Sequence, residues 1–158
     1  MTARAMAQRG VTLIELLTVI AVIGTLMAIA VPSMRTWSIQ HQRSAAASEL
    51  FALINQARSM AVSTSTQAQI TVVTVAGPPG GSVSVQIGAP INWTRTINLG
   101  GGSYNAVGIT AAAPAGPYTI TPRGTVQPNA FTLTIRDRNN QQATVATGLL
   151  GDVTVTIQ

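Results

Sequence analysis

Three patterns of apolar positions succeed one another along the chain. Residues 11–31 are apolar on every side of a helix, with Glu15 the one charge among 21 residues, and Pro32 follows. At a rise of about 1.5 Å per residue such a helix would be roughly 30 Å long, which matches the hydrocarbon core of a bilayer. Pro32 lacks an N–H and its ring crowds the preceding turn, so it is expected to kink the helix or open it locally. Beyond it Leu50, Leu53, Ile54, Ala57 and Ala61 fall at i, i+3, i+4, i+7 and i+11, the stripe of an amphipathic helix. Ser44, Glu49, Gln56 and Arg58 fall on other faces. The stripe predicts packing against a sheet, and the helix should end within 63–66, where hydroxyl and β-branched residues cluster.

From there the period changes to two. Ile70, Val72 and Thr74 alternate with Thr71, Val73 and Val75. After Gly77-Pro78-Pro79-Gly80-Gly81, which reads as a turn, Val83, Val85 and Ile87 alternate with Ser and Gln to complete a hairpin. Ile91, Trp93, Ile97 and Leu99 continue the alternation, with Arg95 on their face. Residues 100–103 and 111–117 read as loops, and 138–141 as a turn. Short strands are expected at 118–121, 131–136, 144–146 and 153–157. One long helix followed only by antiparallel strands predicts an α+β fold, with the helix packed on a small antiparallel sheet domain. The implied organisation is a leading segment 1–10, an apolar helix 11–31, an amphipathic helix 32–66 and a β-rich domain 67–158.

Composition changes the picture in two ways. Only 8% of residues are charged, against about a quarter in a typical soluble domain. All nine basic residues are Arg, opposed by Glu15, Glu49, Asp137 and Asp152, so the high pI reflects a shortage of acids more than a dense basic surface. Nucleic-acid binding is therefore permitted but not demanded. The absence of cysteine excludes a disulfide framework and thiolate chemistry.

The apolar segment admits three readings. It could be a plain membrane anchor. It could be a secretory signal, with Arg4 and Arg9 as its basic start and Ala28-Ile29-Ala30 as a small-x-small cleavage site, although the apolar run is longer than such signals use. Neither gains anything from Glu15, which costs on the order of 2.5–3.5 kcal/mol if it reaches the bilayer centre. The third reading gives the carboxylate a purpose. A cut after Gly10 would make Val11 a new ammonium terminus, and staggered neighbouring helices could pair it with Glu15. Charge does not settle orientation, because Arg4 and Arg9 flank one end and Arg35 and Arg43 the other.

Gly10 followed by Val-Thr-Leu-Ile-Glu-Leu-Leu, with Gly24 and Pro32 at their spacing, resembles the class III leader and N-terminal helix of type IV pilins and pseudopilins. The match covers roughly residues 9–35, and its visible departure is Val11 where the family usually has Phe. The resemblance implies that a prepilin peptidase cuts between Gly10 and Val11 and methylates Val11, and that Glu15 is the assembly carboxylate. It implies an inner-membrane, single-pass subunit with its head in the periplasm, recruited by an inner-membrane assembly platform into a filament of other pilin or pseudopilin subunits. Residues 50–62, "LFALINQARSMAV", and 120–135, "ITPRGTVQPNAFTLTI", are similar to the helix end and the Pro-x-Gly turn of the GspH/FimT family of minor pseudopilins. Members serve type IV pili or type II secretion, and some FimT-type pilins bind DNA through basic residues near the C-terminal end. The last residues here, Val-Thr-Ile-Gln, lack the Gly-Arg-rich tail of those binders, so DNA uptake stands as the secondary reading.

No catalytic constellation is legible, and the chain is read as a non-enzymatic subunit needing no cofactor or metal. His41 is the only histidine and reads as a solvated helix residue. The glycine-rich stretches lack the Lys and helix start of a phosphate loop. Arg95, Arg123, Arg136 and Arg138 remain as candidate DNA contacts, with Trp93 or Tyr118 as stacking platforms. Against that, they read as scattered solubilising charges, with Asp137 partly neutralising two of them.

Overall fold

A single helix, α1, runs Leu13–Ser63 in the computed structural model, which describes residues 11–89 and 91–158. The chain forms two compact units, Met1–Trp37 and Ser38–Gln158. In the first, the helix is continuous through Pro32, so the proline does not open it. The hydroxyls of Thr18 and Thr25 donate to the carbonyl oxygens of Glu15 and Val22 at 2.8 Å, so neither polar group faces an apolar surrounding unsatisfied.

In the second unit, the predicted stripe is the core face of α1. Leu50, Leu53, Ile54, Ala57 and Ala61 are buried, joined by Ala46 and Ala47. The helix stops through a left-handed residue. Ser65 has φ 54°, Thr66 N–H donates to the Ala61 carbonyl and Ser65 N–H to that of Val62. These are the two bonds of a Schellman ending, here with serine in the usual glycine position.

Nine strands follow: β1 Ala68–Val73, β2 Ser82–Ile87, β3 Trp93–Asn98, β4 Val107–Ala113, β5 Pro117–Ile120, β6 Val126–Gln127, β7 Thr132–Asp137, β8 Gln142–Thr147 and β9 Val153–Ile157. They make two antiparallel sheets, ordered β3-β2-β1-β5-β6 and β4-β7-β8-β9. The expected hairpin is β1–β2, with Ile70 opposite Val85 and Ala68 opposite Ile87. Alternation is strict in β7 and β8, where Leu133, Ile135 and Asp137, then Ala143, Val145 and Thr147, face inward.

Two expectations are corrected. Residues 111–113 are not loop but the second half of β4, and one sheet becomes two. A register shift between Ile109 and Ala111 breaks the alternation, and three alanines carry little strand preference, which is why the sequence hid this strand. The Gly77–Gly81 loop does more than turn. Gly80 bridges Gly108 of β4, accepting from Ile109 N–H at 2.9 Å and donating to the Val107 carbonyl at 3.2 Å, so the loop that leads into β2 is hydrogen-bonded to a strand of the other sheet. A Cβ on Gly108 would lie 2.9 Å from Gly80 backbone atoms, so only glycine allows this approach.

Candidate assembly site on the N-terminal helix

The helix start carries the first site. Thr12 precedes α1 and its Oγ1 accepts the Glu15 N–H at 3.3 Å, so it acts as the N-cap. Thr12-Leu13-Ile14-Glu15 has the spacing of a capping box, and Glu15 sits in the first turn, where a negative charge suits the positive end of the helix. Thr12 was missed in the sequence, although a Thr three residues before Glu at the head of an apolar run is its signature. The Glu15 carboxylate is exposed and forms no ion pair with a described residue. Around it Leu13, Ile14, Leu16, Leu17 and Ile20 are exposed too, as is every described residue through Thr36. Val11 is 72% exposed, whereas Gly10 lies outside the described residues.

α1 is long and apolar enough to cross a membrane, with none of that apolar window buried inside the protein. An all-round apolar surface is stable only where lipid or other helices cover it.

The candidate DNA contacts do not form one site. Arg95 on β3 donates to Glu49 Oε1 and Gln56 Oε1 on α1, both at 3.3 Å, while the Tyr104 hydroxyl donates to Glu49 Oε2. Burial, then the hydrogen bond to Glu49, then the charge of Glu49 push the Tyr104 phenol up to about 12. Arg95 is thus a clasp between β3 and the helix. Arg138 donates to the Asn105 carbonyl at 3.0 Å. Arg136 lies on β7 beside Gly108 and Gln142, with its Nε buried and unbonded. Arg123 stands in the turn after β5, beside Asn55 and Arg58 of α1. Nor can Tyr118 stack on a base: it is fully buried, its hydroxyl donates to the Pro114 carbonyl, and its ring lies on Phe131 at 4.1 Å.

Asp137 does not neutralise its sequence neighbours either. Strand alternation turns it inward, away from Arg136, to Arg43 Nη1 at 2.7 Å. Both partners are almost wholly buried. The second carboxylate oxygen accepts Asn139 N–H and Gln141 N–H, at 2.9 and 3.0 Å, and so shapes the β7–β8 turn, where Asn140 takes φ 65°. His41 is exposed on α1, and no group of metal-ligating side chains occurs among the described residues.

A long helix entered through an apolar, uncovered half and leading into antiparallel sheets defines a subunit of the pilin type. The comparisons agree. The family model described as type II transport protein GspH matches residues 46–151, and that of the prokaryotic N-terminal methylation motif matches residues 5–31. The fold is similar to the minor pseudopilin EpsH of the type 2 secretion system of Vibrio cholerae, with TM-score 0.57 and 11% identity over 73% of this chain and 97% of that one. It is equally similar to the type IV minor pilin FimU of Pseudomonas aeruginosa PAO1, with TM-score 0.57 and 20% identity over 76% of this chain and 92% of that one. No curated protein sequence matches the chain. The chain belongs to the GspH family, carries the prokaryotic N-terminal methylation motif, and has the fold of that minor pseudopilin and minor pilin.

Proposed function

We propose that this subunit is made competent by a cut between Gly10 and Val11, methylated on Val11, and drawn from the inner membrane into a filament through α1. A prepilin peptidase makes the cut, an inner-membrane platform carries out assembly, and residues 38–158 face the periplasm. The observation that supports this most is the coincidence of the methylation-motif match with a capped helix start bearing Glu15 on an uncovered apolar surface.

The electrostatics give the cut a mechanical consequence. Processing places an ammonium group one residue before Thr12, at the positive end of the helix, where a cation is disfavoured. A neighbour's Glu15, entering with an axial stagger, offsets that positive charge and loses its own penalty in the apolar phase. Register follows, because the charge pair forms at one stagger only.

Mass spectrometry of the mature N-terminus is the test. Methylated Val11 is the expected result; a chain beginning at Val31 would overturn the reading in favour of ordinary signal cleavage. Glu15→Ala should still be cut but should incorporate into filaments at least about tenfold less, since a desolvated charge pair is lost. Normal incorporation of that variant would remove the register role.

A further inference from the structure

The Pro-x-Gly turn and the end of α1 together frame a hollow that the assembly helix does not use. It has a volume of about 560 Å³ and is lined by Asn55, Arg58, Ser59, Val62, Ser63 and Arg123. Its two guanidinium groups are placed by different devices. Thr121-Pro122-Arg123-Gly124 is a β-turn closed by Gly124 N–H to the Thr121 carbonyl at 2.8 Å. Pro at the second position and Gly at the fourth fit that turn, which leaves Arg123 exposed at the third. Arg58 is held in a glycine slot. A Cβ on Gly124 would lie 3.1 Å from its Nε and one on Gly151 2.8 Å, and both glycines have left-handed φ, +79° and +77°. Its Nη2 donates to the Leu150 carbonyl at 2.8 Å, which fixes one edge of the guanidinium and leaves the other donors directed elsewhere.

No carboxylate of a described residue lies within ion-pair distance of either arginine. Asp152, the nearest acid in sequence to the slot, is turned against Gly148 instead. We propose that this hollow is a docking site for a carboxylate-bearing segment of a different protein, with Arg58 and Arg123 as the charge-bearing contacts and the Ser59 hydroxyl as a further donor.

Charge argues for a different protein over a second copy. Of this chain's four acids, Glu15 lies in the apolar helix, Asp137 is buried against Arg43, and Glu49 is held by Arg95 and Tyr104. A second copy could offer only Asp152, while carrying the same excess of arginine. An acidic partner is complementary to this surface, and a copy of it is not. The placement of that partner within a filament rests on the assembly reading above, but the binding chemistry does not.

Fluorescence anisotropy on the purified full-length chain in detergent, with a labelled hexaglutamate peptide as the probe, tests the proposal. Binding should be salt-sensitive and at least about tenfold weaker for Arg123→Glu, whereas Arg138→Gln, on another turn, should leave it within about twofold. Arg123 is an exposed turn residue, so its loss should not disturb folding, which circular dichroism checks. Absence of binding, or equal losses for the Arg123 and Arg138 variants, overturns a specific site. Tighter binding of inorganic phosphate or of an oligothymidylate than of hexaglutamate, with the same Arg123 dependence, overturns the carboxylate assignment. Self-association abolished by Asp152→Asn would replace the acidic partner with a second copy. Each readout is made on isolated protein, so its failure leaves processing at Val11 and the role of Glu15 untouched.

Discussion

The two halves of one helix, α1, differ in composition and in what surrounds them. Between Leu13 and Trp37 the helix is apolar on all faces and almost nothing on it is buried; between Arg43 and Ala61 a single stripe is apolar and that stripe is fully buried. The first half has no periodic pattern, as fits a helix to be covered on every side by lipid or by other helices. The second has a period near 3.6 because one face meets the sheets and the other meets water. The lesson lies in where each half keeps its charge. Glu15 pairs with no described residue in the first and is the charge that the proposed assembly would use, whereas in the second Arg43 is matched internally by Asp137 at 2.7 Å.

The sharpest way to break that contrast is to remove one member of the buried pair. Asp137→Ala leaves the Arg43 guanidinium buried and unmatched and also strips the β7–β8 turn of its acceptor. It should destabilise residues 38–158 by about 3–5 kcal/mol, read from chemical denaturation. Arg43→Met with Asp137→Leu should recover most of the loss, since an apolar pair of similar volume carries no desolvation penalty. Neither change should alter the mass of the mature N-terminus, because the charges at that end are separate. Next in size is a matched pair of truncations. Leu53→Ala opens a cavity in the core and should cost about 2–5 kcal/mol in the same assay. Leu17→Ala, at a position 54% exposed, should leave that midpoint within about 0.5 kcal/mol. If Leu17→Ala destabilised residues 38–158 as much as Leu53→Ala, the two halves would not be answering to different surroundings.

What could be read from the sequence follows from how local each signal is. The stripe from Leu50 to Ala61, the β1–β2 hairpin and the helix ending near Ser63 rest on periodicity and turn chemistry within a dozen residues, and all were legible. β4 was not, because its evidence is non-local. Ala111, Ala112 and Ala113 become strand only by pairing with Thr134, Leu133 and Thr132, after a bulge that breaks the alternation. Arg43 was read as a flanking charge, and nothing within its own helix announces a partner 94 residues away. Asp137 was misassigned for a reason that could have been avoided. Strand alternation puts it on the face opposite its neighbour Arg136, and the strand ends before Arg138, so proximity in sequence did not mean pairing in space. Among the candidate residues, Glu15 stood out because a carboxylate in an apolar run demands an explanation, whereas Thr12, which caps the helix, was passed over because a hydroxyl there demands none.

The gentlest probe of the division of labour is the clasp where Glu49 on α1 receives both Tyr104 and Arg95. Arg95 is about half exposed, so its bridge to Glu49 at 3.3 Å should be worth at most about 1 kcal/mol, and Arg95→Gln should lower stability by no more than that. Tyr104 differs, because desolvation and Glu49 both favour its neutral form and hold its phenol at about 12, against an ordinary value of 10.0. A group whose pKa is raised on folding contributes stability that is fully present below the unfolded value and is lost as pH climbs through the folded one. The contribution of Tyr104 should therefore be flat below pH 10 and should fade between about pH 10 and 12. Denaturation midpoints of the wild-type chain should decline through that window, and Tyr104→Phe should flatten the decline while leaving the neutral-pH midpoint lowered only slightly. Tyr118, also raised by burial, keeps its ring in the core in both chains and so cancels in the comparison. A decline of the same slope in the Phe variant would mean that the phenol of Tyr104 is not held by Glu49, and that the helix is fastened to the sheet at this point by Arg95 and packing without it.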